Sequence, residues 1–270
     1  MDFKDKVVAI TGGATGIGFA LAKALGQEGA RIVIGEPREA YLEKAVEALG
    51  ALGIEARSFV MDVTDLTSME AFADFAWAAF GRVDLLINNA GVAQRLKPVT
   101  DLPVEEARRV MDVNFFGVWH GCAVFGKRMK EQGSPAAIYN LASENAFFTA
   151  MPNMAAYVAS KHAVLGLSEA FREEMPDFVH VGTIFPGFVQ SDLTGPDFGK
   201  YAMETDRFAG IVLRQMREGA HFIVSHAYNM ERIEARHNEI VKAFRTYAPR
   251  YDGDDEFDVR TVVARMQGEG

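Results

Sequence analysis

Three things are scarce in this chain, and each shortage removes a class of protein. There is one cysteine, Cys122, in 270 residues. No intramolecular disulfide can form, so a reducing compartment is expected and the cytoplasm is the expected location. Cys122 lies in an apolar stretch with no activating neighbour, which suits a small core residue better than a nucleophile. Positive charge is also short: 28 Lys and Arg face 37 Asp and Glu, a formal net charge of -9. Nucleic-acid binding needs a basic face that displaces counterions, and no basic run offers one. Apolar runs are brief as well, and none approaches the roughly 18–20 residues needed to span a bilayer. The opening Met1-Asp2-Phe3-Lys4-Asp5-Lys6 is charged and lacks a signal-peptide apolar region. Neither a repeat nor low-complexity sequence is present, and no metal site is expected.

What remains is ordinary globular composition, 49% hydrophobic and 24% charged. Apolar segments at 6–10, 31–35, 56–60, 83–87, 136–141, 179–185 and 221–224 read as strands. Helical patterns at about 17–27, 38–52, 67–80, 104–132 and 154–175 separate the first six. That alternation predicts an α/β fold: a single-domain, Rossmann-type doubly wound parallel sheet with helices on both faces and right-handed crossovers. A charged amphipathic helix over 229–247 is assigned to the same domain, 1–248, leaving 249–270 as an acidic polar tail, loose or wrapped on a partner subunit. Residues 188–207, with Pro196, Phe198, Tyr201 and Met203, read as an irregular segment, either a lid over an apolar ligand or a surface loop with buried anchors.

The turn after the first strand holds Gly12, Gly13, Gly16 and Gly18. Glycine permits positive φ and lets the backbone approach a pyrophosphate, while the following helix presents free N–H groups and a positive dipole end. Glu36 sits twenty residues beyond Gly16, where a ribose-binding carboxylate is expected. Its carboxylate favours NAD and repels a 2′-phosphate, whereas Arg38 would pair with that phosphate and admit NADP. A plainer alternative has Glu36 and Arg38 capping the next helix.

Tyr157 and Lys161 stand four residues apart in a helical run, so they share one helix face. A neighbouring cation lowers a phenol's pKa toward a working range for acid–base chemistry, which is the expectation here. The pair equally reads as a surface aromatic and a solvated charge. Asn114, inside an apolar helix, is a candidate kink or polar relay, or a structural hydrogen-bonding residue. Ser143 and the run Asn88-Asn89-Ala90-Gly91 follow strand ends, where ligands bind in open parallel sheets.

The ordered set, comprising Thr11-Gly12-Gly13-Ala14-Thr15-Gly16-Ile17-Gly18, Asn88-Asn89-Ala90-Gly91, Asn114, Ser143, Tyr157, Lys161 and Pro186-Gly187, resembles the short-chain dehydrogenase/reductase family over about residues 5–225. The resemblance implies hydride transfer between a nicotinamide and a secondary alcohol or ketone carbon. It implies Tyr157 as proton donor and acceptor, Lys161 as its tuner and ribose ligand, Ser143 on the substrate oxygen, and Asn114 anchoring a proton relay. It places Asp62 and Val63 beside the adenine, and Pro186, Gly187, Val189 and Ser191 by the carboxamide. Thr15 and Ile17 belong to its nucleotide turn, and Asn89, Ala90 and Gly91 to its ribose wall. Glu144 departs from the pattern: it is either a contact for a polar part of the substrate, able to raise the Tyr157 pKa, or a solvated loop charge. Phe147, Phe148, Met151, Met154, Phe188 and Phe198 flank the strand ends and suggest a sizeable, partly apolar substrate, or else core and subunit contacts. The C-terminal departure favours a homodimer, built on the helices of Asn114 and Tyr157, over a tetramer. The leading expectation is an NAD-dependent alcohol dehydrogenase or ketone reductase. The alternatives are an NADPH-dependent carbonyl reductase and a catalytically silent NAD-binding sensor or scaffold.

Overall fold

The computed structural model describes residues 2–191 and 193–268; Met1, Asp192 and the tail residues Glu269 and Gly270 lie outside the described residues. Strands β1 (Val7–Thr11), β2 (Arg31–Glu36), β3 (Ala56–Val60), β4 (Leu85–Asn88), β5 (Ala136–Leu141), β6 (Val179–Phe185) and β7 (Phe222–Val224) form one sheet. Its order is β3-β2-β1-β4-β5-β6-β7, and every pairing is parallel. The chain runs outward from β1 to β3, then returns to place β4 on the other side of β1. That reversal opens a crevice at the carboxyl ends of β1 and β4.

The helices are α1 (Gly16–Gln27), α2 (Glu39–Ala51), α3 (Leu66–Phe80), α4 (Val104–Met111), α5 (Gly117–Gln132), α6 (Ala155–Glu174), α7 (Gly195–Gly199), α8 (Thr205–Arg217), α9 (Asn229–Tyr247) and α10 (Val259–Gly268). Alternation along β1 shows why both faces need cover. Val8 and Ile10 enter a core shared with Leu21 and Leu25 of α1, while Val7 and Ala9 enter one shared with Phe72 of α3 and Phe125 of α5. Asp65 starts α3 by accepting a hydrogen bond from Thr67 N–H at 2.9 Å.

Three expectations are corrected. The predicted continuous helix over 104–132 is interrupted by a π-helical turn, Asp112–Phe116, centred on Asn114. A wider turn inserts one residue into the helix and re-aims the side chains that follow. The 188–207 segment is not wholly irregular: it holds α7, and its end begins α8. The sequence pattern left α8 unrecognised, yet it buries Phe208, Ala209, Val212, Leu213 and Met216 and packs against α1. The tail holds α10, whose Val259, Val262, Val263 and Met266 follow helical spacing after an acidic lead-in.

The chain forms two compact units, one ending at Ala227 and the other beginning at Tyr228. The first contains the sheet and α1–α8; the second contains α9 and α10, so α9 groups with the tail rather than with the sheet domain. Among the described residues no helix is long and apolar enough to cross a membrane.

Candidate active site

A cleft of about 790 Å³ opens over the crevice between β1 and β4. Its wall includes Gly12, Thr15, Gly16, Ile17, Gly18, Glu36, Arg38, Asp62, Val63, Asn89, Ala90, Gly91 and Ser191, all named from sequence. Gly12 and Gly16 have φ of 62° and 54°. A Cβ on Gly18 would lie 2.3 Å from the Gly12 carbonyl oxygen, so only glycine allows this approach. Asn89 fastens the turn to the neighbouring strand end, its Nδ2 donating to the carbonyls of Thr11 and Gly12, each at 2.9 Å. Thr11 Oγ1 in turn accepts from Asn89 and Ala90 N–H at 3.0 and 3.1 Å. Thr15 precedes α1 in extended backbone, and its side chain makes no cap hydrogen bond. The positive end of α1 faces this glycine-lined cradle, which fits a dinucleotide pyrophosphate.

Glu36 is buried at the end of β2, and Arg38 Nε lies 2.5 Å from its Oε1. The Arg38 guanidinium also stacks 4.1 Å over the Tyr41 ring. Arg38 occupies the N-cap position of α2, where its carbonyl accepts from Tyr41 and Leu42 N–H and its side chain makes no cap hydrogen bond. Asp62 Oδ1 accepts from Thr64 N–H and Oγ1 at 2.9 Å. Sequence reasoning missed the opposite wall, where Glu105, Arg108 and Arg109 of α4 and Asp112 and Val113 of the π turn contribute. No spacing signal points to them, since they arrive on an ordinary charged helix face.

A second group converges beyond Leu141, which lines the cleft; Asn114, Ser143, Tyr157 and Lys161 themselves are not among its lining residues. Lys161 is buried, and its Nζ donates to the Leu141 carbonyl at 2.8 Å. A Cβ on Gly91 would stand 3.8 Å from that Nζ, which places the amine against the cleft wall. The same amine is 5.6 Å from the Tyr157 ring centroid. Tyr157 is half-buried as a residue, with its hydroxyl end enclosed and hydrogen-bonded to Ser143. Burial is the largest influence on that phenol and raises its pKa; the Ser143 bond lowers it, and the charge of Glu144 raises it. The expected lowering by Lys161 is corrected: in this structure the phenol lies above its ordinary value. Burial also pushes the Lys161 ammonium down to about 8.

Asn114 is fully buried and uses its whole amide. Oδ1 accepts from Val92 N–H at 2.7 Å, while Nδ2 donates to the Val92 carbonyl at 3.0 Å and to Ser160 Oγ at 3.1 Å. Ser160 Oγ in turn donates to the Tyr157 carbonyl at 2.7 Å. The π turn thus ties the 92 loop to the helix carrying Tyr157. Gln94, missed from sequence, makes a second tie: its Oε1 accepts from Tyr157 N–H at 3.0 Å and its Nε2 donates to the Asn153 carbonyl at 3.1 Å.

Of the segment after β6, Ser191 lines the cleft and Pro186, Gly187 and Val189 do not; Val189 is buried, and the Pro186 carbonyl accepts from Glu144 N–H at 2.8 Å. Phe147 packs on Phe185 with ring centroids 4.5 Å apart, so it belongs to the core rather than to an open pocket. Phe148 and Met154 are half-buried, while Met151, Phe188 and Phe198 are exposed. Glu144 is buried, which overturns the solvated-charge alternative.

A sequence profile of the short chain dehydrogenase family matches residues 6–201. The chain is 34% identical over 251 residues to the probable oxidoreductase EphD of Mycobacterium tuberculosis; the match covers 92% of this chain but only 38% of that protein. It is 36% identical over 208 residues to the NADP-dependent (R)-specific alcohol dehydrogenase of Lentilactobacillus kefiri, covering 76% of this chain and 81% of the other. In three dimensions it resembles the crystal structure of a short-chain dehydrogenase/reductase from Burkholderia phymatum in complex with NAD, with a TM-score of 0.85 and 28% identity over 90% of this chain and 96% of that one.

Proposed function

The chain belongs to the short-chain dehydrogenase family, and from that premise we propose that it interconverts a secondary alcohol and its ketone, with NAD as the favoured cofactor. The observation that carries this reading is the enclosed Tyr157 phenol, acted on by Ser143, with the Lys161 amine 5.6 Å from its ring and set against Gly91 of the glycine-walled cleft. A bound nicotinamide dinucleotide would supply the hydride chemistry. Its pyrophosphate would rest on the turn from Gly12 to Gly18, and its adenosine ribose would meet Glu36. Ser143 and Tyr157 would share the substrate oxygen. In oxidation Tyr157 would take the proton from that oxygen, and in reduction it would return the proton. Lys161 would meet the nicotinamide ribose across Gly91. Asn114, by holding the 92 loop against Ser160, keeps these elements in register.

NADP is the second reading. It is favoured by Arg38 at the cleft wall and by the NADP-dependent Lentilactobacillus kefiri relative. In either case a homodimer through the helices of Asn114 and Tyr157 accompanies the proposal. Phe116 and Trp119, 45% and 50% exposed, give the first of these an apolar surface to cover. A monomer mass by light scattering would remove that part. A cytoplasmic setting is supported by the single, buried Cys122.

The test is formation of reduced nicotinamide from NAD and from NADP, with secondary alcohols ranging from small polar to polycyclic. Turnover with any of them supports the reading. Tight dinucleotide binding without turnover, in both directions and with both cofactors, would favour a silent binder instead.

A further inference from the structure

Glu144 opens the 3₁₀ turn Glu144–Ala146, directly after Ser143. Its N–H donates to the Pro186 carbonyl, which ties the turn to the end of β6, and the turn packs against α6, the helix of Tyr157. The residue is 9% exposed, and its Oε2 is buried with no hydrogen-bond donor among the described residues. The charge of this carboxylate raises the proton affinity of two groups on other elements, the Tyr157 phenol and the His226 ring. The nearby donors are engaged elsewhere. Tyr157 bonds Ser143, Lys161 donates to Leu141, and His226 lies 2.7 Å from Ser225 Oγ and also bonds the Phe188 backbone.

A buried carboxylate oxygen without a donor is costly, and a donor arriving with the substrate removes that cost. Ser143 and the Glu144 charge both act on the Tyr157 phenol, so groups held by the two residues fit within one small molecule. A carboxylate only accepts, which rejects an ether or carbonyl oxygen at the same spot.

We propose that Glu144 is a specificity-determining residue that accepts a hydrogen bond from a second substrate group, a hydroxyl or an ammonium, close to the reacting carbinol. The proposal rests on the dehydrogenase reading, because Ser143 and Tyr157 fix where the carbinol sits.

The experiment compares kcat/KM for phenylethylene glycol, phenylethanolamine, and the glycol methylated on its primary hydroxyl. The wild-type protein should favour the better donor-bearing substrate over the methyl ether by roughly 10–100-fold. Whichever of glycol and ethanolamine leads identifies the donor as hydroxyl or ammonium. Glu144→Ala should bring that ratio to within about threefold of one, since the discriminating hydrogen bond is gone. The ratio is taken within each protein, so any effect through Tyr157 common to the substrates cancels. Glu144→Gln keeps an uncharged acceptor of similar size and should give an intermediate ratio even where the alanine variant folds poorly. Brisk wild-type turnover of all three with ratios near one overturns the assignment and leaves the dehydrogenase reading intact. A preference that survives in both variants does the same. No oxidation of these alcohols or the wider panel, and no reduction of the matching ketones, with either cofactor, overturns the dehydrogenase reading, and the proposal with it.

Discussion

The two sides of the sheet build their parts of the site by different means. On the β1–β4 side the wall is largely backbone: a turn held open at Gly12 and Gly16, closed tightly at Gly18, and laced to β4 by Asn89. On the β5–β7 side the work falls to side chains from separate segments: Ser143 and Glu144 after β5, Tyr157 and Lys161 on α6, and Asn114 from the π turn. A backbone-built site leaves a compact spacing in the sequence because several glycines must be adjacent. A site built from side chains leaves scattered residues whose surroundings only folding supplies.

If the sides divide binding from chemistry, single changes should separate them. The largest effect is expected from Tyr157→Phe, which keeps the ring and removes the hydroxyl. Turnover should fall by about 10²–10⁴-fold, while the dinucleotide Kd, followed by fluorescence titration, stays close to wild type. Retained turnover would break the division at its catalytic end.

Gly18→Ala should do the reverse. The added methyl meets the Gly12 carbonyl at 2.3 Å and Asn89 Nδ2 at 2.5 Å, and neither can withdraw without opening the turn. Overpacking of this kind costs about 1–3 kcal/mol. Calorimetric titration should show dinucleotide affinity reduced and a thermal melt should show a lower Tm, with wild-type affinity as the contrary result.

Glu36→Ala sharpens the comparison within the cofactor side. Loss of a charged hydrogen-bonding partner, about 1.5–3 kcal/mol, should weaken NAD by roughly 10–100-fold. It also releases Arg38 from its 2.5 Å bond, so the NAD-to-NADP affinity ratio should move toward NADP. An unchanged ratio would remove Glu36 from cofactor choice.

The smallest effect is a pH shift on the side-chain half. Alcohol oxidation needs Tyr157 as phenolate, so the rate rises with pH through its pKa. Burial and the Glu144 charge both raise that pKa. Removing the charge in Glu144→Gln lets the phenolate form at lower pH, and the rising limb of kcat against pH should move down. A limb that stays put or moves up would show that the Glu144 charge does not act on the phenol.

Legibility followed the same line. The glycine turn, Glu36 and the alternation of strands with helices were readable because each needs a residue type or period that local geometry enforces. The Tyr157–Lys161 face was readable from helical spacing, but the sign of the phenol's shift was not: burial outweighs the neighbouring amine, and burial is a property of the packed chain. Phe147 was open from sequence to a pocket or a core role, and it packs at a tilt on Phe185, which comes from a strand some forty residues away. Helix α8 was missed although Phe208, Val212 and Met216 follow its face, because Gly210 and flanking charges blur the period.

By itself the sequence determined the doubly wound parallel sheet and the glycine-rich turn after β1, since these rest on periodicity and backbone freedom; Ser143, Tyr157, Lys161 and Asn114 were joined into one set by the family resemblance. Tertiary structure alone decided that Asn114 sits in a π turn bonded to Val92 and Ser160, that Arg38 lies clasped by Glu36 and Tyr41, and that the Glu144 carboxylate is buried near Tyr157 with no donor to Oε2 among the described residues. The physical reason is that hydrogen-bond partners and desolvation come from segments far apart in the chain, and no local pattern carries their distance.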